Sequence, residues 1–167
     1  MAKRTHGHLV IFWASSLHHK GFYLKVLRIS SRDTIAIRHQ VLRPGRPVET
    51  CYFPGDDEDQ TFHLGAFVEG KLVSVSSFFF EKHPAIEAPY QYRLRGMATL
   101  PEHQRHGYSQ ELLKIGFPMV KQSLCSVVWC NARKSALGFY EKLGFQRISE
   151  EFEIPEIGPH YLMLKNL

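Results

Sequence analysis

Short runs of β-branched and aromatic residues, cut by turn residues, dominate the pattern of the chain. Phe22–Ile29 alternates imperfectly between apolar and polar positions and predicts a strand. Ser30, Ser31, Arg32 and Asp33 then offer N-cap chemistry for a helix with apolar positions Ile35, Ile37, Val41 and Leu42, stopped by Pro44-Gly45. Residues 43–60 predict a long loop punctuated by Pro44, Pro47 and Pro54-Gly55. Its acidic run, Asp56-Asp57-Glu58-Asp59, has carboxylates suited to a hard cation but lacks the spaced ligands of a calcium loop, and reads as a solvated turn.

Phe62–Val68, the turn Glu69-Gly70-Lys71 and residues 72–80 predict a β-hairpin, and residues 90–100 a further strand closed by Pro101. A helix is expected from about Tyr108, with Leu112, Leu113 and Val120 on its apolar side. Pro118 should kink or end it early, because proline removes a backbone hydrogen bond and crowds the preceding turn. Residues 126–131 read as a buried strand, residues 134–143 as a helix with Gly144 as its C-cap, and residues 145–152 and 161–165 as the last two strands. Strands gather in the middle and helices alternate with them later, which predicts a mixed α/β sheet with helices on its faces.

A length of 167 residues suits one domain, taken as 21–167, with residues 1–20 an N-terminal extension whose structure the sequence leaves open. Lys3-Arg4 followed by Leu9 to Ala14 has the order of a signal peptide, but the apolar stretch is brief and no small-x-small cleavage site follows. No apolar run approaches the ~20 residues that cross a bilayer, so no membrane partner is expected. The net charge of +5 fits an anionic small ligand as well as nucleic acid, yet no helix-turn-helix, zinc-finger or RNA-binding aromatic pattern supports the latter. Cys51, Cys125 and Cys130 form an odd set without a CxxC pair, which suggests neither disulfides nor a metal and fits a cytoplasmic setting.

The stretch 94–113 places a strand, a tight turn and a helix start in succession, with Gly107 and the small Ser109 where the backbone enters the helix. Unpaired N–H groups and the positive dipole end at such a start favour a phosphate or pyrophosphate. Neither the Walker A nor the Rossmann glycine pattern is present. A second strand–loop–helix passage follows over residues 127–145.

With these two passages the chain resembles the GNAT superfamily of acyl-CoA-dependent N-acetyltransferases. Gln104-Arg105-His106-Gly107-Tyr108-Ser109 matches the family's pyrophosphate motif, Gln/Arg-x-x-Gly-x-Gly/Ala, at all but the last position. Ala136-Leu137-Gly138-Phe139-Tyr140-Glu141-Lys142-Leu143-Gly144-Phe145 matches its second signature, and residues 152–163 resemble the ElaA-like branch. The resemblance implies a mostly antiparallel sheet with a splayed strand pair that holds acyl-CoA. Met97, Ala98 and Thr99 would pair with the pantetheine arm as with a neighbouring strand. The amides of Arg105, His106, Gly107, Tyr108, Ser109 and Gln110 would hold the pyrophosphate beside Gln104, with added charge from Arg105 or His106. Asn131 either bonds the pantetheine or caps the next loop.

The implied reaction moves an acetyl group from acetyl-CoA, without a metal, by direct attack of a primary amine of a small molecule. Such an amine must be neutral, the carbonyl oxygen gains charge, and the sulfur leaves as a thiolate. A backbone N–H near Met97 can stabilise the oxyanion. Tyr140, by resemblance, is the general acid, and the other account of it is an aromatic ring packed on the sheet. No carboxylate lies on the strand position some relatives use, where Gln91, Arg93 and Arg95 share one pleat. Glu81, His83 and His160 are the candidate bases, with His160 favoured beside the last strand, against a purely structural histidine. Arg93 and Arg95 suggest an acceptor bearing a carboxylate or phosphate. Cys130, on a buried strand without an evident base, reads as inert. The alternative function is a non-catalytic acyl-CoA binding or sensing module, and a homodimer is the assembly the resemblance allows.

Overall fold

The computed structural model describes residues 15–19 and 22–167. Within them nine strands form one sheet: β1 (Ser15–His19), β2 (Phe22–Ile29), β3 (Phe62–Val68), β4 (Lys71–Phe80), β5 (Gln91–Thr99), β6 (Val127–Arg133), β7 (Gln146–Arg147), β8 (Phe152–Ile154) and β9 (Gly158–Asn166). The order is β1-β2-β3-β4-β5-β6-β9-β7, with β8 paired to β9. Every neighbouring pair is antiparallel except β5 and β6. Three helices accompany the sheet: α1 (Ser31–Leu42), α2 (Tyr108–Gln122) and α3 (Leu137–Lys142). The strand β1 falls within the N-terminal extension, while the signal-like stretch at residues 3–14 lies outside the described residues. No described helix is long and apolar enough to cross a membrane.

The two faces of the sheet carry separate cores. Leu64, Phe78, Tyr92 and Leu94 pack with Leu112, Leu113 and Val120 of α2 on one face. Val75 and Ala98 pack with Ile37 of α1 in the second cluster. Gly116, in the middle of α2, is there because Phe78 presses on it: a Cβ would sit 2.3 Å from the ring. α2 runs through Pro118 to Gln122, so the expected early stop does not occur. Pro118 and Lys114 are both exposed, and water can serve the Lys114 carbonyl that the proline leaves without an N–H.

Other boundaries shift in ways the physics explains. The expected helix over 134–143 is a 3-10 turn, Lys134–Ala136, followed by α3. The strand expected over 145–152 becomes the short β7 and β8, and β9 begins at Gly158, three residues earlier than expected. That start is set by pairing of Gly158, Pro159 and His160 with β8 in a short hairpin, which Pro155 and Pro159 disguise as a loop in the sequence pattern.

The largest departure concerns the acidic run. Asp56 is buried, and its two oxygens bind Arg38 Nη1 and Nη2 at 2.7 and 2.9 Å. Arg38 itself is 0% exposed at the centre of α1's inner face, a position the sequence reading did not single out. Its guanidinium also donates to the Cys51 carbonyl and the Ser77 hydroxyl and lies 4.1 Å from the Phe53 ring. His63 joins the network through Ser77 Oγ at 2.7 Å and the Asp56 carbonyl at 2.8 Å. A buried charge with these partners is tolerated, whereas one stripped of its counter-charge is not. Asp56→Asn is therefore expected to cost about 3–5 kcal/mol in urea unfolding.

Burial also holds the His63 pKa below its usual 6.5. An unfolded chain gains a proton at this site as the pH falls below about 6.5, and the folded chain resists it. Stability should drop across that window, with a shallower slope in His63→Gln, as read by urea unfolding at a series of pH values.

Candidate active site

Two parallel strands that part company make the site. β5 and β6 pair only at Gln91↔Val127, Tyr92↔Val128 and Arg93↔Trp129, although both strands run on, to Thr99 and Arg133. The divergence coincides with a bulge in β5, where Gly96 and Met97 together face Ser76 between the partners Arg95↔Ser77 and Ala98↔Val75. Gly96 has φ +64, and a Cβ there would lie 2.9 Å from Arg38 Nε and 3.0 Å from Phe53. Only glycine satisfies both the backbone angle and the approach of the buried arginine.

The bulge also changes which way side chains face. Arg93 and Arg95 follow one parity, whereas Met97, two residues on, packs with the α2-side core and Ala98 with the α1-side core. Leu100 N–H bonds the Val73 carbonyl at 2.9 Å. Alternation along the strand then turns the Met97 and Thr99 N–H groups away from β4, toward the gap. These groups need a partner that β6 no longer supplies.

A cleft of about 970 Å³ fills the gap and passes from one face of the sheet to the other. Residues 93–99 of β5, the α2 start at Gly107, Tyr108, Ser109 and Gln110, and Asn131, Tyr140 and His160 all line it. Gln104 and Arg105 belong to the same wall. His106 does not: its Nδ1 is bonded to the Gln104 carbonyl at 2.8 Å and its ring stacks on Tyr108. Glu81 lies instead at a second cavity, paired with Arg93 at 2.9 Å, and His83 packs on Trp129. Among the candidate bases, the structure brings only His160 into the cleft with Tyr140.

The α2 start can take an anion. Arg105 and Gly107 both have positive φ, +63 and +85, which curls the backbone ahead of the helix. Gly107 is the N-cap, and no side chain caps the helix, so its first-turn donors are left to other partners. The Ser109 hydroxyl bonds the Thr99 hydroxyl at 2.8 Å, which in turn bonds Ser74 Oγ at 2.7 Å. Serine at the motif's last position thus ties the helix start to β5, a use that glycine or alanine lacks.

Tyr140 is positioned by how α3 ends. Its carbonyl accepts the Phe145 N–H at 3.0 Å while Gly144, at φ +82, donates to the Glu141 carbonyl at 2.9 Å. This is the Schellman arrangement, and the Tyr140 and Phe145 rings meet edge-on at 5.3 Å as its apolar contact. The Tyr140 hydroxyl points at Met97 Sδ, 3.9 Å away, a weak acceptor. Burial drives its pKa well above the ordinary tyrosine value, which keeps the proton in place at neutral pH. Burial likewise pushes the Cys130 thiol far up, and it is inert as a nucleophile.

Asn131 Oδ1 is buried without a hydrogen-bond partner among the described residues. On a cleft wall, such an atom fits an amide N–H of a pantetheine arm. The His160 Nδ1 lies 2.7 Å from the Gly158 carbonyl, which can only accept. In the neutral ring this places the proton on Nδ1 and the lone pair on Nε2. Phe53, Arg43, Arg133, Ile154 and Ile157 complete the cleft and escaped the sequence reading, since they come from the proline-punctuated loop and strand ends with no local signature. Among the described residues no group of His, Cys, Asp and Glu is placed to hold a metal.

The comparisons agree with this geometry. Residues 30–145 match the model of the Acetyltransferase (GNAT) family. The chain is 41% identical over 144 residues to the uncharacterized N-acetyltransferase YitI of Bacillus subtilis, covering 86% of this chain and 97% of that protein. Among solved structures, FeeM, an N-acyl amino acid synthase from uncultured soil microbes, superposes with a TM-score of 0.70 at 10% identity, covering 87% of this chain and 91% of that one. Escherichia coli ElaA superposes with a TM-score of 0.65 at 15% identity, covering 87% and 99%. At those identities the two structures speak for the fold alone. By its sequence match and its splayed sheet alike, the chain belongs to the GNAT acetyltransferase family and is an acyl-CoA-dependent N-acyltransferase.

Proposed function

We propose that the donor is acetyl-CoA and that the acetyl group passes directly to the primary amine of a small molecule. The observation that carries this reading is the convergence, in one cleft, of the bulged β5 backbone, the uncapped α2 start and the Tyr140 hydroxyl. Bound acetyl-CoA would supply a thioester carbonyl open to attack by a neutral amine. The amides of Arg105 to Gln110 would hold its pyrophosphate, with the Arg105 side chain and Gln104 beside them. The His106 side chain, turned off the cleft, is left out of that role, and only its amide contributes. Met97, Ala98 and Thr99 would bind the pantetheine arm through their backbone, and Asn131 through its orphaned oxygen.

The Met97 N–H faces the gap and can donate to the carbonyl oxygen as it gains charge. Tyr140 holds its proton at neutral pH and would hand it to the departing sulfur. His160 Nε2 is the group left to take a proton from the amine, directly or through a water. A small acceptor is supported by the far end of the cleft, walled by Val41, Leu42, Phe53, Ile154 and Ile157. Those side chains form an apolar pocket of the kind that encloses small ligands.

Calorimetric titration tests the donor half. Acetyl-CoA and free CoA should both bind saturably, and Gly107→Glu should weaken both about tenfold or more, through backbone strain at positive φ and repulsion of the phosphates. Absence of acetyl-CoA binding by folded wild-type protein would overturn the reading. Tyr140→Phe tests the chemistry: turnover should fall about 100-fold while acetyl-CoA affinity changes little. Undiminished turnover in a screen of primary amines would remove Tyr140 as the acid.

A further inference from the structure

Three arginines stand together on the α1 face beside the bulge, and two of them are spoken for. Arg38 is bound by Asp56. Arg93 is bound by Glu81 at 2.9 Å and lies over the Trp129 ring at 4.8 Å. The Arg95 side chain has no hydrogen bond and no ion pair among the described residues. Its guanidinium lies 4.2 Å from the Phe53 ring centre and 5.9 Å from that of Phe79, between two aromatic side chains. Stacking there fixes the plane of the group but serves none of its five donors.

Arg95 also stands where two cavities meet. It and Arg93 line both the main cleft and a second cavity of about 830 Å³ bounded by Pro54, Gly55, Phe79 and Glu81. Burial and the like charge of Arg93 lower its pKa to about 10, and it remains protonated at neutral pH. A half-buried cation with unserved donors is costly unless something else serves them. Arg95 is one residue before the bulge and two before Met97, the N–H on which the proposed acyl transfer centres.

We infer that Arg95 is the anchor for a carboxylate carried by the acceptor amine, with Phe53 as the platform that orients its donor fork. Charge decides for a carboxylate over a phosphate. With Arg38 and Arg93 each neutralised, Arg95 is the one guanidinium of the three without a counter-charge, and its single charge pairs with a monoanion. A phosphate dianion would leave an excess negative charge beside Glu58 and Asp59, which border the second cavity. The two parallel donors of a guanidinium match the two oxygens of a carboxylate. The inference rests on the acetyl-transfer reading and narrows its acceptor to amines that bear a carboxylate.

The test uses the full chain with acetyl-CoA, following released CoA thiol, against two matched panels: free amino acids including β-alanine, and the carboxamides of the same compounds. Acids should be turned over in clear preference to carboxamides. In Arg95→Gln the KM for the acids should rise about tenfold or more with a smaller change in kcat, and Arg95→Lys should fall between, since it keeps the charge and loses the fork. Thermal melting and acetyl-CoA calorimetry on each variant show that fold and donor site persist. Equal use of acids and carboxamides, an unchanged KM in Arg95→Gln, or turnover of neither panel by protein that binds acetyl-CoA overturns the carboxylate inference and leaves the donor reading standing. Failure of the wild type to bind acetyl-CoA removes both.

Discussion

Everything at the site depends on a sheet that stops pairing in its middle. Interior strands seldom leave their N–H and C=O groups without a partner, because an unserved backbone group away from water costs as much as a lost hydrogen bond. Here β5 and β6 do so after three residue pairs, and the structure holds the gap open from both sides. On one side the Gly96 bulge bends β5 away, and on the other the antiparallel partnership with β9 keeps β6 straight along all seven of its residues. The gap is thereby a standing demand for an extended ligand with amide groups of its own, which a pantetheine arm meets.

The bulge in turn leans on a buried ion pair. Arg38 occupies the space that a side chain at position 96 would need, and Asp56 holds it there. Such a pair adds little net stability over apolar packing, because both charges must leave water. Its contribution here is placement: it seats Phe53 against the cleft and joins α1, the 43–60 loop and β4 through Cys51, Asp56 and Ser77. His63 extends the same network to β3.

Sequence reading reached the parts of this arrangement that are local. The glycine-serine turn into α2, the strands on either side of it and the Tyr140 signature with its Gly144 cap are each encoded within a dozen residues, and each stands where the pattern put it. What the pattern missed is long-range. Asp56 looked like one of four solvated acids because its counter-charge is eighteen positions away, on an arginine that shares a helix face with Ile35, Val41 and Leu42 but whose charge does not by itself announce burial. His160, which its place beside the last strand already favoured, lines the cleft, whereas Glu81 borders the second cavity and His83 packs on Trp129, placements that only the fold shows. The early stop expected at Pro118 fails for another reason, since a proline rule that ignores exposure overstates the damage to a helix with water at hand.

The lining of the cleft also divides along the chain in a telling way. The β5 bulge, the α2 start, Asn131 and Tyr140 fall between residues 96 and 140, in elements fixed by sheet pairing, capping and the Schellman turn. The opposite wall is assembled from residues 41–53 and 154–160, a proline-rich loop and a short hairpin. Changes confined to the turns of those segments, residues 43–50 and 155–157, leave the pairing of β5 with β4 and of β6 with β9 untouched. Drift in the amine accepted can therefore proceed without disturbing the thioester machinery, so that descendants of one such scaffold can share a donor while diverging freely in what they acylate.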